Sequence, residues 1–116
     1  MTLSKRARAP AVVRDLEFIV LMAALHLGEE AYPAAIRDVI EQRTHKRVSR
    51  PAVFITLERL EKKGLVSSRY GDPTPVRGGR AKRFFRVEPR GLAAARASLD
   101  IVTSLMSGLE VILGSR

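Results

Sequence analysis

The stretch Ser49 to Ser68 reads S-R-P-A-V-F-I-T-L-E-R-L-E-K-K-G-L-V-S-S, and its punctuation decides how the rest of the chain is read. Ser49 is a helix N-cap residue, and Pro51 falls in the first turn, where a missing N–H costs nothing. Val53, Leu57 and Leu60 recur at helical spacing until Gly64 stops the pattern. One helix with two faces is therefore predicted. An apolar stripe turns inward, while Arg50, Thr56, Arg59, Lys62 and Lys63 project as hydrogen-bond donors of the kind that suits a DNA groove. After Gly64 the period changes from helical to alternating, so a strand follows directly.

The charge is concentrated around this helix. Of the 21 Lys and Arg residues, 14 lie between Arg43 and Arg90 against 4 acidic residues, a local net charge of +10; the remainder, 7 basic against 8 acidic, carries −1. Localised positive charge on a helix and the hairpin after it is an electrostatic footprint for a polyanion, with nucleic acid the first candidate and an anionic membrane the second. The 116 residues make one domain with a high ratio of surface to volume, for which a partner subunit would supply further burial. With no cysteine there is no disulfide framework, thiolate metal site or cysteine nucleophile. The apolar run Phe18 to Leu27 is too short to cross a bilayer and no small-residue cleavage site follows it, so neither anchor nor signal peptide is read and the cytoplasm is the default location.

Upstream, Met1 to Arg14 carries Lys5, Arg6, Arg8 and Arg14 without an apolar period. It is read as a flexible basic arm, either reaching phosphate and the minor groove or simply solvated. Asp15 caps a first helix to about Leu27 that has almost no polar face, which requires burial nearly all round, on its own core and on a second subunit. His26 near its end reads as a packed or interface histidine. Gly28 ends this helix, Glu29 to Tyr32 turn the chain, and Pro33 opens a second helix to about Arg43 with Ile36, Val39 and Ile40 inward. In the loop that follows, Val48 is expected to pair as a single-residue edge strand beside the later hairpin, and His45 to be solvated.

Downstream, Leu65 to Tyr70 and Ala81 to Val87 alternate as two antiparallel strands. Their connection, Gly71 to Gly79, is rich in glycine and proline and flanked by Arg69, Arg77, Arg80, Lys82 and Arg83, so its backbone can approach a phosphate with charge around it. It is not a nucleotide cradle, since P-V-R-G-G-R-A-K matches neither G-x-x-x-x-G-K-[ST] nor G-x-G-x-x-G. Pro89 starts a last helix to about Leu113, with Leu92, Leu99, Met106 and Leu113 every seven residues and Ala95, Val102 and Leu109 at the second heptad position. So wide an apolar stripe cannot be satisfied within one small domain, and a homodimer is expected, its interface built from Leu16, Ile19 and Met22 with Leu92, Leu99, Val102, Met106, Leu109 and Leu113.

Helix, helix, helix, strand, basic loop, strand is the order of a winged helix-turn-helix. The expected fold class is mainly α with a small β-hairpin: residues 1–14 an arm, 15–88 a DNA-binding winged helix-turn-helix, and 89–116 a C-terminal dimerisation helix. Within that frame Ser49 starts the recognition helix, Arg50 and Thr56 are candidates for base edges, and Arg59, Lys62, Lys63, Arg77, Arg80 and Lys82 for phosphates. Glu58–Lys62 and Arg59–Glu61 also admit a reading as pairs on a solvated helix. No nucleophile stands with paired carboxylates or a histidine, so neither an enzyme nor a cofactor or metal site is expected. The alternative is a winged helix that binds an acidic protein partner.

The sequence also resembles the PadR-like family of bacterial transcriptional regulators over about Leu16 to Leu113. The resemblance rests on the Gly28 to Tyr32 turn, L-E-R-L-E-K-K-G-L-V at Leu57 to Val66, and G-R-A-K-R-F-F-R-V-E-P-R-G at Gly79 to Gly91. It implies a homodimeric repressor on a pseudo-palindromic operator of double-stranded DNA, with the third helix in the major groove and the wing on the flanking backbone. The short tail is similar to the family's smaller subgroup, many of whose members respond to small aromatic molecules at the dimer interface. Three positions depart from the family's pattern: Phe54 stands in place of the usual tyrosine, Pro51 in place of a small residue, and Glu88 in place of a capping threonine. The chain has no tryptophan, so a drug sandwiched between indoles is not carried over; Met22, Met106 and His26 can line an interface pocket, with a filled core the preferred reading.

Overall fold

The computed structural model describes residues 15–72 and 81–114. The basic arm, and Arg77 and Arg80 of the wing loop, lie outside the described residues. Among the described residues five helices and one hairpin follow in the order α1 (Asp15–Leu27), a single 3-10 turn (Gly28–Glu30), α2 (Pro33–Thr44), α3 (Arg50–Lys62), β1 (Val66–Tyr70), β2 (Arg83–Val87), α4 (Pro89–Met106) and α5 (Glu110–Leu113).

The start and stop signals of α3 work as the sequence predicts. Ser49 Oγ accepts from the Ala52 N–H at 3.1 Å, and Pro51 sits in the first turn. At the other end Gly64 takes φ +77°, its N–H donating to Glu61 O at 2.9 Å and the Leu65 N–H to Leu60 O at 2.9 Å. That is a Schellman ending, sealed by the buried pair Leu60 and Leu65. The turn throws the chain straight into β1, whose antiparallel register with β2 pairs Val66 with Val87, Ser68 with Phe85 and Tyr70 with Arg83.

The core lies where α1, α2 and α3 meet the hairpin and the start of α4. Val20 and Leu21 from α1, Ile36 and Ile40 from α2, Val53, Leu57 and Leu60 from α3, and Phe85 from β2 are its main buried side chains. The hairpin's third edge is not Val48. Phe85 N–H donates to Ala31 O at 2.7 Å, so the stretch just after the 3-10 turn supplies the extra backbone partner, while Val48 O accepts from Arg37 Nε at 2.9 Å. Ala31 is itself fully buried against this edge, which a Val-based propensity argument could not reveal.

Within the chain α1 is covered on one side, where Glu17, Val20, Leu21, Ala23 and Ala24 are buried, while Ile19, Met22, Leu25 and His26 are exposed. One expectation for the helices is corrected. The last helix does not run unbroken to Leu113, because Ser107 leaves the helical region and Gly108 takes φ +91° before α5 forms a single turn. Leu109 and Leu113 are thereby displaced from the heptad seam of Leu92, Leu99 and Met106.

The face of α4 that meets its own domain is made of small residues. Gly91, Ala94, Ala95 and Ser98 are buried, so Ala95 belongs to the core and not to a seam between subunits. A Cβ built on Gly91 would stand 2.1 Å from Leu65 O and 3.0 Å from Val87 Cγ1, so the helix approaches the β1 entry at backbone distance. As expected for a residue that replaces a good cap, the Glu88 side chain makes no capping bond; it accepts from Ser67 Oγ instead.

Candidate nucleic-acid interface

Four of α3's residues, Val53, Thr56, Leu57 and Leu60, are buried. The opposite side carries Arg50, Phe54, Ile55, Arg59 and Lys62 to solvent. Arg50 occupies the first helical position, immediately after the Ser49 cap. Ser49 is exposed, with its hydroxyl oxygen engaged in the cap.

Thr56 does not belong to this face. It is 3% exposed and sits on the core side, one residue around from Ile55, which is 50% exposed. A threonine next to an isoleucine reads as the outer residue on polarity, but position on the helical wheel overrides composition: Val53, Thr56, Leu57 and Leu60 form the i, i+3, i+4, i+7 set. That spacing was the signal that could have found Ile55.

Lys63 is committed elsewhere. Its ammonium donates to both Glu17 carboxylate oxygens, at 3.0 and 2.8 Å, and the Glu17 side chain is 5% exposed. The pair ties the end of α3 to α1. Forty-six residues separate the partners, so no local pattern points to it.

The pairs proposed within α3 are also replaced. Glu58 and Glu61 face β2, where Arg83 spans them: Nη1 lies 2.6 Å from Glu58 Oε2 and Nη2 lies 2.7 Å from Glu61 Oε1. Arg83 Nε donates to Ser68 Oγ at 3.1 Å, and Ser68 Oγ donates to Glu61 Oε2 at 2.9 Å. Burial works against the guanidinium's charge, but the bond to Glu58 and the charges of Glu58 and Glu61 outweigh it and raise the Arg83 pKa above its ordinary value. Lys62 and Arg59 therefore point to solvent without Glu58 or Glu61 to themselves.

The hairpin is held on its other side by alternating cations and rings. Arg69 lies 4.7 Å from the Phe84 centroid, Phe84 meets Tyr32 edge-on at 5.6 Å, and the Lys82 ammonium lies 4.3 Å from the Tyr32 centroid. Arg69 also reaches Glu29, with Nη2 3.9 Å from Oε1. These contacts fix the wing's base to the α1–α2 turn while leaving Lys82 exposed.

The residues assigned to a subunit contact divide similarly. Leu16 is half-buried, whereas Ile19, Met22, Leu92, Leu99, Val102, Met106, Leu109 and Leu113 are all exposed. From Ile101 to Leu113 no residue is buried, and exposure reaches 93% at Val111. A groove between α1 and α2 is floored by Phe18, Met22, Val39 and Ile40, with His26 and Arg43 at its margin; Met106 takes no part in it. Among the described residues no helix is long and apolar enough to cross a membrane.

Three helices, a hairpin whose base is fixed to the third helix, and a following long helix define a winged helix-turn-helix. The fold is that of PadR-type regulators. It is similar to a transcriptional regulator from Clostridium thermocellum, at 20% identity over 79% of this chain and 86% of that one with a TM-score of 0.67. A PadR family transcriptional regulator from Eggerthella lenta matches at 19% identity, 87% and 88% coverage and a TM-score of 0.66. Another PadR family regulator, from Clostridium difficile, matches at 17% identity, 84% and 98% coverage and a TM-score of 0.64. No family model matches the sequence, and no curated protein matches it.

Proposed function

We propose that the protein is a sequence-specific DNA-binding regulator of transcription, acting as a homodimer on a pseudo-palindromic operator. The observation that carries the reading is α3 itself: a capped, rigidly seated helix whose exposed side presents Arg50, Ile55, Arg59 and Lys62 beside a basic hairpin. Two such helices would lie about 34 Å apart in successive major grooves. In this reading Arg50 bonds guanine O6 and N7 together, and Ile55 packs on a thymine methyl. Arg59, Lys62 and Lys82, with Arg77 and Arg80 of the wing loop, neutralise phosphates and set register without reading sequence. Thr56, being buried, and Lys63, bound to Glu17, are left out of this set.

The homodimer is supported by the apolar side chains that the chain leaves uncovered on α1, α4 and α5, among them Ile19, Met22, Leu99, Val102, Met106 and Val111. In this reading residues 15–88 are the DNA-binding winged helix-turn-helix, and the exposed sides of α1 and of residues 89–116 make the subunit contact. Repression follows from the family resemblance, as does relief by a small aromatic effector, for which the α1–α2 groove offers an apolar floor next to the proposed interface. A footprint on DNA from upstream of the protein's own gene tests the reading: two protected half-sites related by a dyad are expected, and uniform protection would contradict it.

A further inference from the structure

A helix that faces DNA phosphates gains from cations and loses from uncovered carboxylates, yet α3 carries Glu58 and Glu61 next to Lys62. Both acids are reached from β2 by one side chain. The Arg83 fork bonds Glu58 at 2.6 Å and Glu61 at 2.7 Å, and its third donor goes to Ser68 at 3.1 Å. Its guanidinium carbon lies 4.9 Å from the Phe85 ring centroid, 5.6 Å from that of Phe54 and 5.9 Å from that of Tyr70. The rings confine the fork between the helix and the hairpin. A planar group with donors in two directions fits this place, whereas an ammonium is a single point of charge.

We propose that Arg83 is a positioning residue of the DNA interface, which holds Glu58 and Glu61 back from the phosphates and sets the hairpin against α3. This rests on the DNA-binding reading above. One cation against two carboxylates leaves the trio at a charge of −1 instead of −2, with both acids directed at β2. Each of the three guanidinium nitrogens of Arg83 bonds within the chain, and the proposal gives this residue no phosphate contact of its own. Pairs of partly exposed side chains contribute little to stability, so the effect of the trio falls on polyanion affinity more than on folding.

The test measures affinity for the operator and for a random duplex at fixed salt, with circular dichroism as a check on folding. Arg83→Gln should weaken binding to both duplexes by about tenfold or more, because two carboxylates are uncovered together. Arg83→Lys should lose less. Adding Glu58→Gln and Glu61→Gln to Arg83→Gln should recover most of the loss, since the amides leave no charge to uncover. A triple variant as weak as Arg83→Gln would overturn the proposal, for Arg83 would then be touching phosphate itself.

If Arg83→Gln does not fold, Glu58→Gln/Glu61→Gln in the otherwise unaltered chain decides the matter. It should bind random duplex several-fold more tightly, and unchanged or weaker binding would overturn the proposal. An unaltered protein that binds no duplex would remove the DNA-binding reading and this inference together. Binding by the unaltered protein with either contrary result removes this inference alone.

Discussion

The joint between α3 and the hairpin differs from the far end of α4 in how its surface is completed. At the joint, acids and cations find partners inside the chain: Glu58 and Glu61 on Arg83, Glu17 on Lys63, and Arg69 and Lys82 on aromatic rings. Beyond Ser98 the opposite holds. The apolar stripe of α4 continues past the end of its own domain, and Ile101, Val102, Leu105 and Met106 are exposed. The first region is finished by the chain, with cations left over at its rim. The second is left open by the chain, and in the proposed homodimer a second copy would cover the last stretch of α4, Leu99 to Met106, about 12 Å long.

The largest effect is expected where the two regions join. Gly91 lies against Leu65 O, and the Cβ added by Gly91→Ala would meet backbone, not a movable side chain. A loss of about 3 kcal/mol or more is expected in denaturant unfolding, since α4 must leave the β1 entry; a loss below about 1 kcal/mol would mean that the approach is looser than it stands. Cutting the tie at Glu17 is a smaller blow. Glu17→Ala removes both bonds to Lys63, whose ammonium can hydrate, so about 1–3 kcal/mol of stability should go, read by the same unfolding curves.

A third change isolates the far end of α4. Val102→Asp should leave the melting transition of the domain in place while sedimentation shifts from dimer to monomer, because Val102 is half exposed and contributes nothing to the buried core. A dimer that persists would place the subunit contact elsewhere. On the reading side, Arg50→Ala should cost about 1–3 kcal/mol at one base position, and equal losses on every sequence would remove Arg50 from base readout. The smallest effect is expected of Lys62→Ala. It should weaken all duplexes alike and flatten the salt slope by about one unit, and an unchanged slope would rule out a phosphate contact.

What was legible in the sequence was whatever is local. The cap at Ser49, the stop at Gly64, the helix-to-strand switch and the hairpin all follow from spacing within a few residues, and each is found in place. The misplacements share a cause. Thr56 and Ile55 are neighbours, and only the full helical set, not polarity, tells which one is inside. Ala31, the real partner of Phe85, lies 54 positions upstream of it and has no strand-forming side chain. Lys63 and Arg83 counted toward a basic surface, yet both are held by acids brought close by tertiary packing. The break at Ser107–Gly108 was written in the glycine, but the seven-residue apolar repeat runs over it and conceals it.

The most direct measurement is a titration of the purified protein against duplex DNA from upstream of its own gene and against a shuffled duplex, each at two salt concentrations. Saturable binding that survives the higher salt only on the native duplex is expected, with base readout adding to the phosphate contacts common to both duplexes. Equal, salt-sensitive binding to both duplexes would contradict it, reducing the exposed side of α3 to a general polyanion surface; no binding to either, with capture by an acidic protein, would favour the protein-partner alternative.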